Sequence, residues 1–242
     1  MKVRIFFFAM IFAVFFFLWR PSLEKGFVGR DDWEFYHDTF YRSGLIPPFD
    51  PTRVTENLGS TSYYQPLANV TFNLIHGIFG GQARPFYLFG FFLHSLNAVL
   101  VYRFVILLTR KETLGYMSAA IFLLYPANLE TISWIGAILI HPIATFFYLL
   151  CFLYFFHFLK TRKTIRYALA VFFFFGACLS KIVAIGFISA AALLDLCFFA
   201  EELKDAKGNR LERILNWFDK YIPFVLFLYY RGGLQVSNES NH

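Results

Sequence analysis

Charge is scarce in this sequence. Only 16% of its 242 residues are Asp, Glu, Lys or Arg, against roughly 25% in soluble domains. Cysteine is scarce too, with Cys151, Cys178 and Cys197 the three present. None is in CxxC spacing or beside histidines at metal-ligand spacing, and all three lie in apolar runs. A disulfide-stapled mini-protein is therefore excluded, and these cysteines read as small apolar fillers of helices. No P-loop, GxSxG, HExxH or GxGxxG occurs, so soluble NTPase and metalloprotease readings have no support. There is no internal repeat.

Apolar residues fill the space that charge leaves. The hydrophobic set reaches 58% and aromatics 22%, with 35 phenylalanines, and the mean hydropathy is +0.53. A disordered or collagen-like chain does not look like this. A water-facing core of this size has no room for so much Phe, Leu and Ile, which argues against a soluble enzyme. The remaining class is an all-α polytopic membrane protein. The formal net charge is +6. Its basic residues flank apolar runs, so they report orientation in a membrane, and no nucleic-acid partner is expected.

The runs divide a single membrane domain, 1–242, into spans. Residues 5–19 follow Lys2 and Arg4, and Arg20-Pro21-Ser22-Leu23-Glu24 makes no A-x-A-like cleavage site. This is read as a retained first span entering from the cytoplasm. Residues 21–83 hold most acids of the N-terminal half, the prolines Pro47, Pro48, Pro51 and Pro66, and interface-seeking aromatics such as Trp33, Tyr36 and Tyr64. They read as a long first extracytoplasmic loop. Spans two to six occupy 86–200, as runs 86–108, 114–125, 135–159, 167–179 and 182–200. A charged amphipathic cytoplasmic stretch covers 201–220. A seventh span opens at Tyr221 and reads as cut short within 221–242. The basic clusters at 2–4, 110–111, 160–166 and 204–213 then all face the cytoplasm, as the positive-inside rule demands.

Ionisable groups are costly near a bilayer, about 2.5–3.5 kcal/mol at a helix centre, so each is a functional candidate. Asp31 and Asp32 follow the first span by about a dozen residues. Such a pair suits general-base work, one carboxylate taking a proton while the other orients the hydroxyl or binds a cation. It equally suits a solvated helix N-cap. Glu130 falls on the same outer side, as a pocket residue or an interfacial cap. Lys181 lies between two apolar runs on that side. It suits a lipid phosphate, or an amine that merely snorkels to the interface. His141-Pro142 opens the long fourth span near the outer surface. A lone histidine such as His94 is ordinarily hydrogen-bonded within a bundle. Asp195 lies at the opposite side and reads as structural.

The order of motifs resembles a known family. Asp31-Asp32, Tyr64-Gln65-Pro66-Leu67, Phe86-Tyr87-Leu88, His94, Asn97 through Tyr102, Tyr125-Pro126, Glu130, Trp134 and Leu179-Ser180-Lys181 together look like the N-terminal membrane module of GT-C glycosyltransferases. The likeness is to the protein O-mannosyltransferase-like branch often fused to tetratricopeptide repeats, and it covers residues 5–230. The resemblance implies a bundle of about seven transmembrane helices that takes sugar from a polyprenyl-phosphate carrier. It implies a protein or glycan acceptor, a bacterial inner membrane and an active face outside the cytoplasm. Asp31 or Asp32 is then the base. Lys181 holds the leaving phosphate, and Glu130, Gln65 and His141 shape the substrate pocket. No metal or cofactor is implied beyond the lipid-linked donor.

The departures are specific. Relatives carry arginine where Gln65 stands, a Gly-Arg-x-Asp-like stretch where this chain reads Gly136 through His141, an acid in place of Ile182, and further spans after Arg231-Gly232-Gly233. A second expectation follows from them: a non-catalytic membrane subunit that binds the same lipid-linked sugar, with or without a partner subunit. A transporter would need charged or broken helices at mid-membrane and a two-fold repeat, and neither is read here.

Overall fold

The computed structural model describes residues 2–28, 32, 65–181, 184–205, 219–227 and 229. Helices dominate them. α1 is Lys2–Trp19, followed by a 3-10 turn at Arg20–Glu24. α2 is Pro66–Phe79, α3 Arg84–Thr109, α4 Glu112–Leu124, α5 Ile135–Thr161, α6 Thr164–Ser180 and α7 Ala184–Asp205. Short turns at Pro126–Leu129 and Glu130–Ile132 join α4 to α5.

Three segments are long and apolar enough to cross a membrane: Val3–Glu24, Arg84–Thr109 and Ile135–Thr161. At 1.5 Å per residue, 26 residues reach about 39 Å, beyond the roughly 30 Å of hydrocarbon. Glu112–Leu124, Thr164–Ser180 and Gly186–Phe198 are apolar but shorter. α5 is the central helix, with half of its most apolar window enclosed by neighbours, whereas α1 has 11% enclosed. The outward faces of α1, including Ile5, Phe6 and Phe17, match hydrocarbon rather than water.

Two apolar clusters hold the bundle. One joins Ile11 and Phe15 of α1, Phe72 of α2, Phe86 and Phe91 of α3, and Ile138 and Leu139 of α5. The other joins the far half of α5 (Cys151, Phe155, Leu159) to Phe174 of α6, Phe187 of α7, and Phe224. Cys151 and Cys178 are buried in this second cluster as free thiols.

Contacts between α3 and α5 fix their relative direction. Gly90 lies against Ile138, Asn97 against Pro142, and Phe104 against Phe152. Both numbers rise together, so the two helices run parallel. α4 returns beside α3, and α6 returns beside α5. Consequently Arg110-Lys111 and Arg162-Lys163 share one end of the bundle. Arg4 joins them through its ion pair with Glu112.

Arg110 and Arg162 occupy the same special position. Each follows a helix C-terminus in the left-handed region, at φ 59° and φ 52°, where glycine is the cheap choice. Each amide still closes its helix, onto the carbonyls of Ile106 and Phe158. An arginine there places a cation against the negative end of the helix dipole.

One element differs from the sequence expectation. The last part of segment 21–83, read as loop, contains helix α2. Pro66 sits in its first turn, where a missing N–H costs nothing, and Ala68, Phe72 and Ile75 are buried. Gly80, at φ 66°, ends it. α2 packs on α3, α5 and α6, so this stretch belongs to the bundle. The amphipathic stretch 201–220 begins as a continuation of α7 to Asp205, and residues 206–218 lie outside the described set.

Candidate functional site

The end of the bundle opposite the arginines gathers the outer-face candidates. α5 starts there. Its N-cap residue, Trp134, is extended (φ −146°, ψ 151°) and gives no side-chain cap. The first amides of a helix need acceptors, and a carboxylate also suits the positive dipole end. Asp32 supplies one from 104 positions away: Gly136 N–H donates to its Oδ1 at 2.9 Å. Val28 N–H donates to the other oxygen, Oδ2, at 2.8 Å. The residue is 1% exposed.

Gly136 leaves room for the Trp134 ring beside this contact. A Cβ there would lie 2.9 Å from the Trp134 ring and 3.8 Å from Asp32 Oδ1. The segment leading to Asp32 has a further tie, because Tyr87 OH of α3 donates to the Gly26 carbonyl at 3.3 Å. Phe27 packs on Phe86, with ring centroids 6.2 Å apart.

Lys181 ends α6 at the same end. Its Nζ lies 3.0 Å from His141 Nδ1 and 3.3 Å from His141 Nε2. An ammonium has only donors, so an unprotonated imidazole nitrogen of His141 is the acceptor. Burial pulls the Lys181 ammonium below the usual lysine range. The pair meets because α5 and α6 form an antiparallel hairpin turning at Arg162. Ser180 is buried and turned back, its hydroxyl donating to the Gly176 carbonyl at 2.9 Å. Gly136, which Asp32 holds, and His141 lie on the same half of α5, about 7–8 Å apart along its axis by the helical rise.

The other candidates are placed as follows. Gln65 is half-buried at the start of α2, its backbone carbonyl accepting from Ala68 and Asn69. Glu130 stands in the 3-10 turn before α5, described by its backbone alone. Asp31 lies outside the described residues, as do Trp33, Tyr36 and Tyr64. His94 is buried between Phe15 and Phe122, with centroids 5.6 and 4.9 Å away, and takes no part in the Lys181 pair. Asp195 lies toward the arginine end, as the sequence placed it. It is buried, ion-paired to Lys220 and accepts the Tyr221 hydroxyl at 3.0 Å. Among the described residues no group of three His, Cys, Asp or Glu side chains is arranged to hold a metal ion.

Compared with models of known families, with curated proteins and with solved structures, the chain matches none of them. Its chemistry therefore rests on its own geometry. That geometry offers two things at one end of an apolar bundle: a half-buried cation beside an imidazole, and a sealed carboxylate fastened to a helix start. The first is suited to an anion such as a phosphate monoester or diester. Sequence reasoning missed Val28 as a member of this end, and named Trp134 and Gly136 as motif residues without linking them to Asp32. A glycine directly after the tryptophan that opens an apolar run was the available signal.

Proposed function

We propose that this chain is a membrane glycosyltransferase of the GT-C type. It moves a sugar from a polyprenyl-phosphate carrier to a hydroxyl of a protein or glycan, at the face of a bacterial inner membrane away from the cytoplasm. About seven helices cross the bilayer, with the Arg110 and Arg162 turns inside, in keeping with the positive-inside rule.

In this reading the acceptor oxygen attacks the anomeric carbon. The bond from that carbon to the phosphate oxygen breaks, and its electron pair leaves on the phosphate. The acceptor proton passes to one carboxylate, Asp31 or Asp32, a step typically worth about 10²–10⁴-fold. Lys181, oriented by His141, neutralises the leaving phosphate where low dielectric makes an unpaired anion expensive. Gln65 and Glu130 shape the pocket for sugar or acceptor. The observation that supports this most is the Lys181–His141 contact, at the end of the bundle that also holds Asp32.

The test uses the full chain in lipid nanodiscs with polyprenyl-phosphate mannose as donor and serine- and threonine-rich peptides and oligosaccharides as acceptor hydroxyls. Release of polyprenyl phosphate that Lys181→Met lowers by 100-fold or more (about 2.7 kcal/mol) is the expected result. A wild-type chain that binds this donor and never releases the phosphate overturns it. That outcome favours the second reading, a non-catalytic subunit, for which the engagement of both Asp32 oxygens by backbone amides is the specific support.

A further inference from the structure

We propose that Asp32 is a positioning residue, the fastener that holds the extracytoplasmic segment after α1 onto the start of α5, and that it does not take the proton. The proposal rests on the transferase reading only for what is being positioned. The fastening itself stands on the geometry.

Three observations carry it. Each carboxylate oxygen of Asp32 accepts a backbone N–H, one from its own segment (Val28) and one from α5 (Gly136). A base must be reached by the hydroxyl it serves, and Asp32 is 1% exposed. The N-cap residue of that helix, Trp134, gives no side-chain cap of its own, so the carboxylate does for α5 what an N-cap residue ordinarily does from within the chain. The consequence is mechanical. Asp32 sets where residues 26–28 sit relative to α5, and α5 carries His141 and through it Lys181. If one member of the aspartate pair is the proton acceptor, it is Asp31.

The experiment uses the full chain in nanodiscs and three variants: Asp32→Asn, Asp32→Ala and Asp31→Asn. Two readouts are taken. The first is the rate of trypsin cleavage between Lys25 and Gly26, which reports local opening of the segment. Asparagine keeps an oxygen for Gly136 N–H, so Asp32→Asn is expected to raise cleavage by less than about three-fold. Asp32→Ala raises it by about ten-fold or more, the scale of a lost hydrogen bond to a charged group. Asp31→Asn leaves it unchanged. Wild-type cleavage rates in Asp32→Ala overturn the fastener, whether or not any sugar is transferred.

The second readout is release of polyprenyl phosphate from polyprenyl-phosphate mannose in the presence of the same acceptor peptides and oligosaccharides. Asp32→Asn is expected to keep at least about a tenth of the wild-type rate with an unshifted pH profile, while Asp31→Asn loses about 100-fold or more. An Asp32→Asn chain that is cleaved like wild type yet loses release as fully as Asp31→Asn overturns the positioning role, because Asp32 is then the base. A wild-type chain with no release sinks the transferase reading alone, and the cleavage series still decides the fastener.

Discussion

The side-chain amide of Asn97, on α3, donates to the backbone carbonyl of Pro142, on α5, at 2.9 Å. Both residues are buried. A proline inside a helix removes one N–H and disturbs the turn before it. Here the neighbouring helix places a polar side chain on the carbonyl of the proline itself, next to His141 of the Lys181–His141 pair. Replacing Asn97 with Ala is expected to lower stability by about 1 kcal/mol, within the range measured for hydrogen bonds between membrane helices. The check is the thermal midpoint of the purified chain in detergent, together with α3–α5 cysteine cross-linking, which should weaken in parallel.

Close helix approach makes a second prediction. A Cβ at Gly176 would lie 2.6 Å from the Phe147 ring, and one at Gly90 would lie 2.8 Å from Ile138. Gly77 has open space around its Cβ position. Gly176→Ala and Gly90→Ala should each cost about 1–3 kcal/mol, because packed helices must part. Gly77→Ala should instead be neutral or stabilise by about 0.5–1 kcal/mol through helix propensity. Equal effects at the three glycines, measured as detergent midpoints, would remove the basis for the α3–α5 and α5–α6 contacts.

The Asp195–Lys220 ion pair gives a third. Both partners are largely buried, with side chains 2% and 12% exposed. Removing one partner leaves a buried charge uncompensated, so Asp195→Asn or Lys220→Met alone should cost about 3–5 kcal/mol. The double replacement Asp195→Leu with Lys220→Met should recover most of that loss. A double-mutant cycle on the thermal midpoint reads the coupling, and simple additivity would argue against the pair.

Lys181 gives a pH signature of two opposite signs. Burial lowers its folded value below 10.5, so the unfolded chain holds this proton more tightly. Below the lowered value both states are charged and folding carries the burial penalty. Between that value and 10.5 the unfolded state binds more protons, so the Lys181 contribution to stability rises with pH. Anion binding runs the other way, weakening over the same window as the ammonium is lost. Titrating the midpoint and the affinity for polyprenyl phosphate across that window should show both slopes. Both should flatten in Lys181→Met.

Much of the bundle was legible because hydropathy and charge mark the same borders. The run 86–108 became helix Arg84–Thr109, and the run 135–159 became Ile135–Thr161, each stopped where a basic pair begins. α2 escaped notice because Asn69, Thr71, Asn73 and His76 break its apolar pattern, and because Pro66 reads as a loop residue until it is seen to begin a helix. The site was legible in composition but not in pairing. Lys181 and His141 meet across 40 positions, a register that the turn at Arg162 fixes once α5 and α6 are known to be antiparallel. The Asp32–Gly136 bond spans 104 positions and depends on how the segment after α1 meets the start of α5, which no local pattern encodes.

Sidedness is the claim on which the proposed chemistry depends, since a base and a phosphate-holding cation must meet one substrate. It is tested most directly by single cysteines placed at Lys25, Lys181, Lys111 and Lys163 in a chain whose native cysteines are replaced, labelled in intact cells with a membrane-impermeant maleimide. Labelling at 25 and 181 from outside, with 111 and 163 reached only after permeabilisation, is the predicted pattern. Positions 25 and 181 reacting from opposite sides of the bilayer would contradict the account.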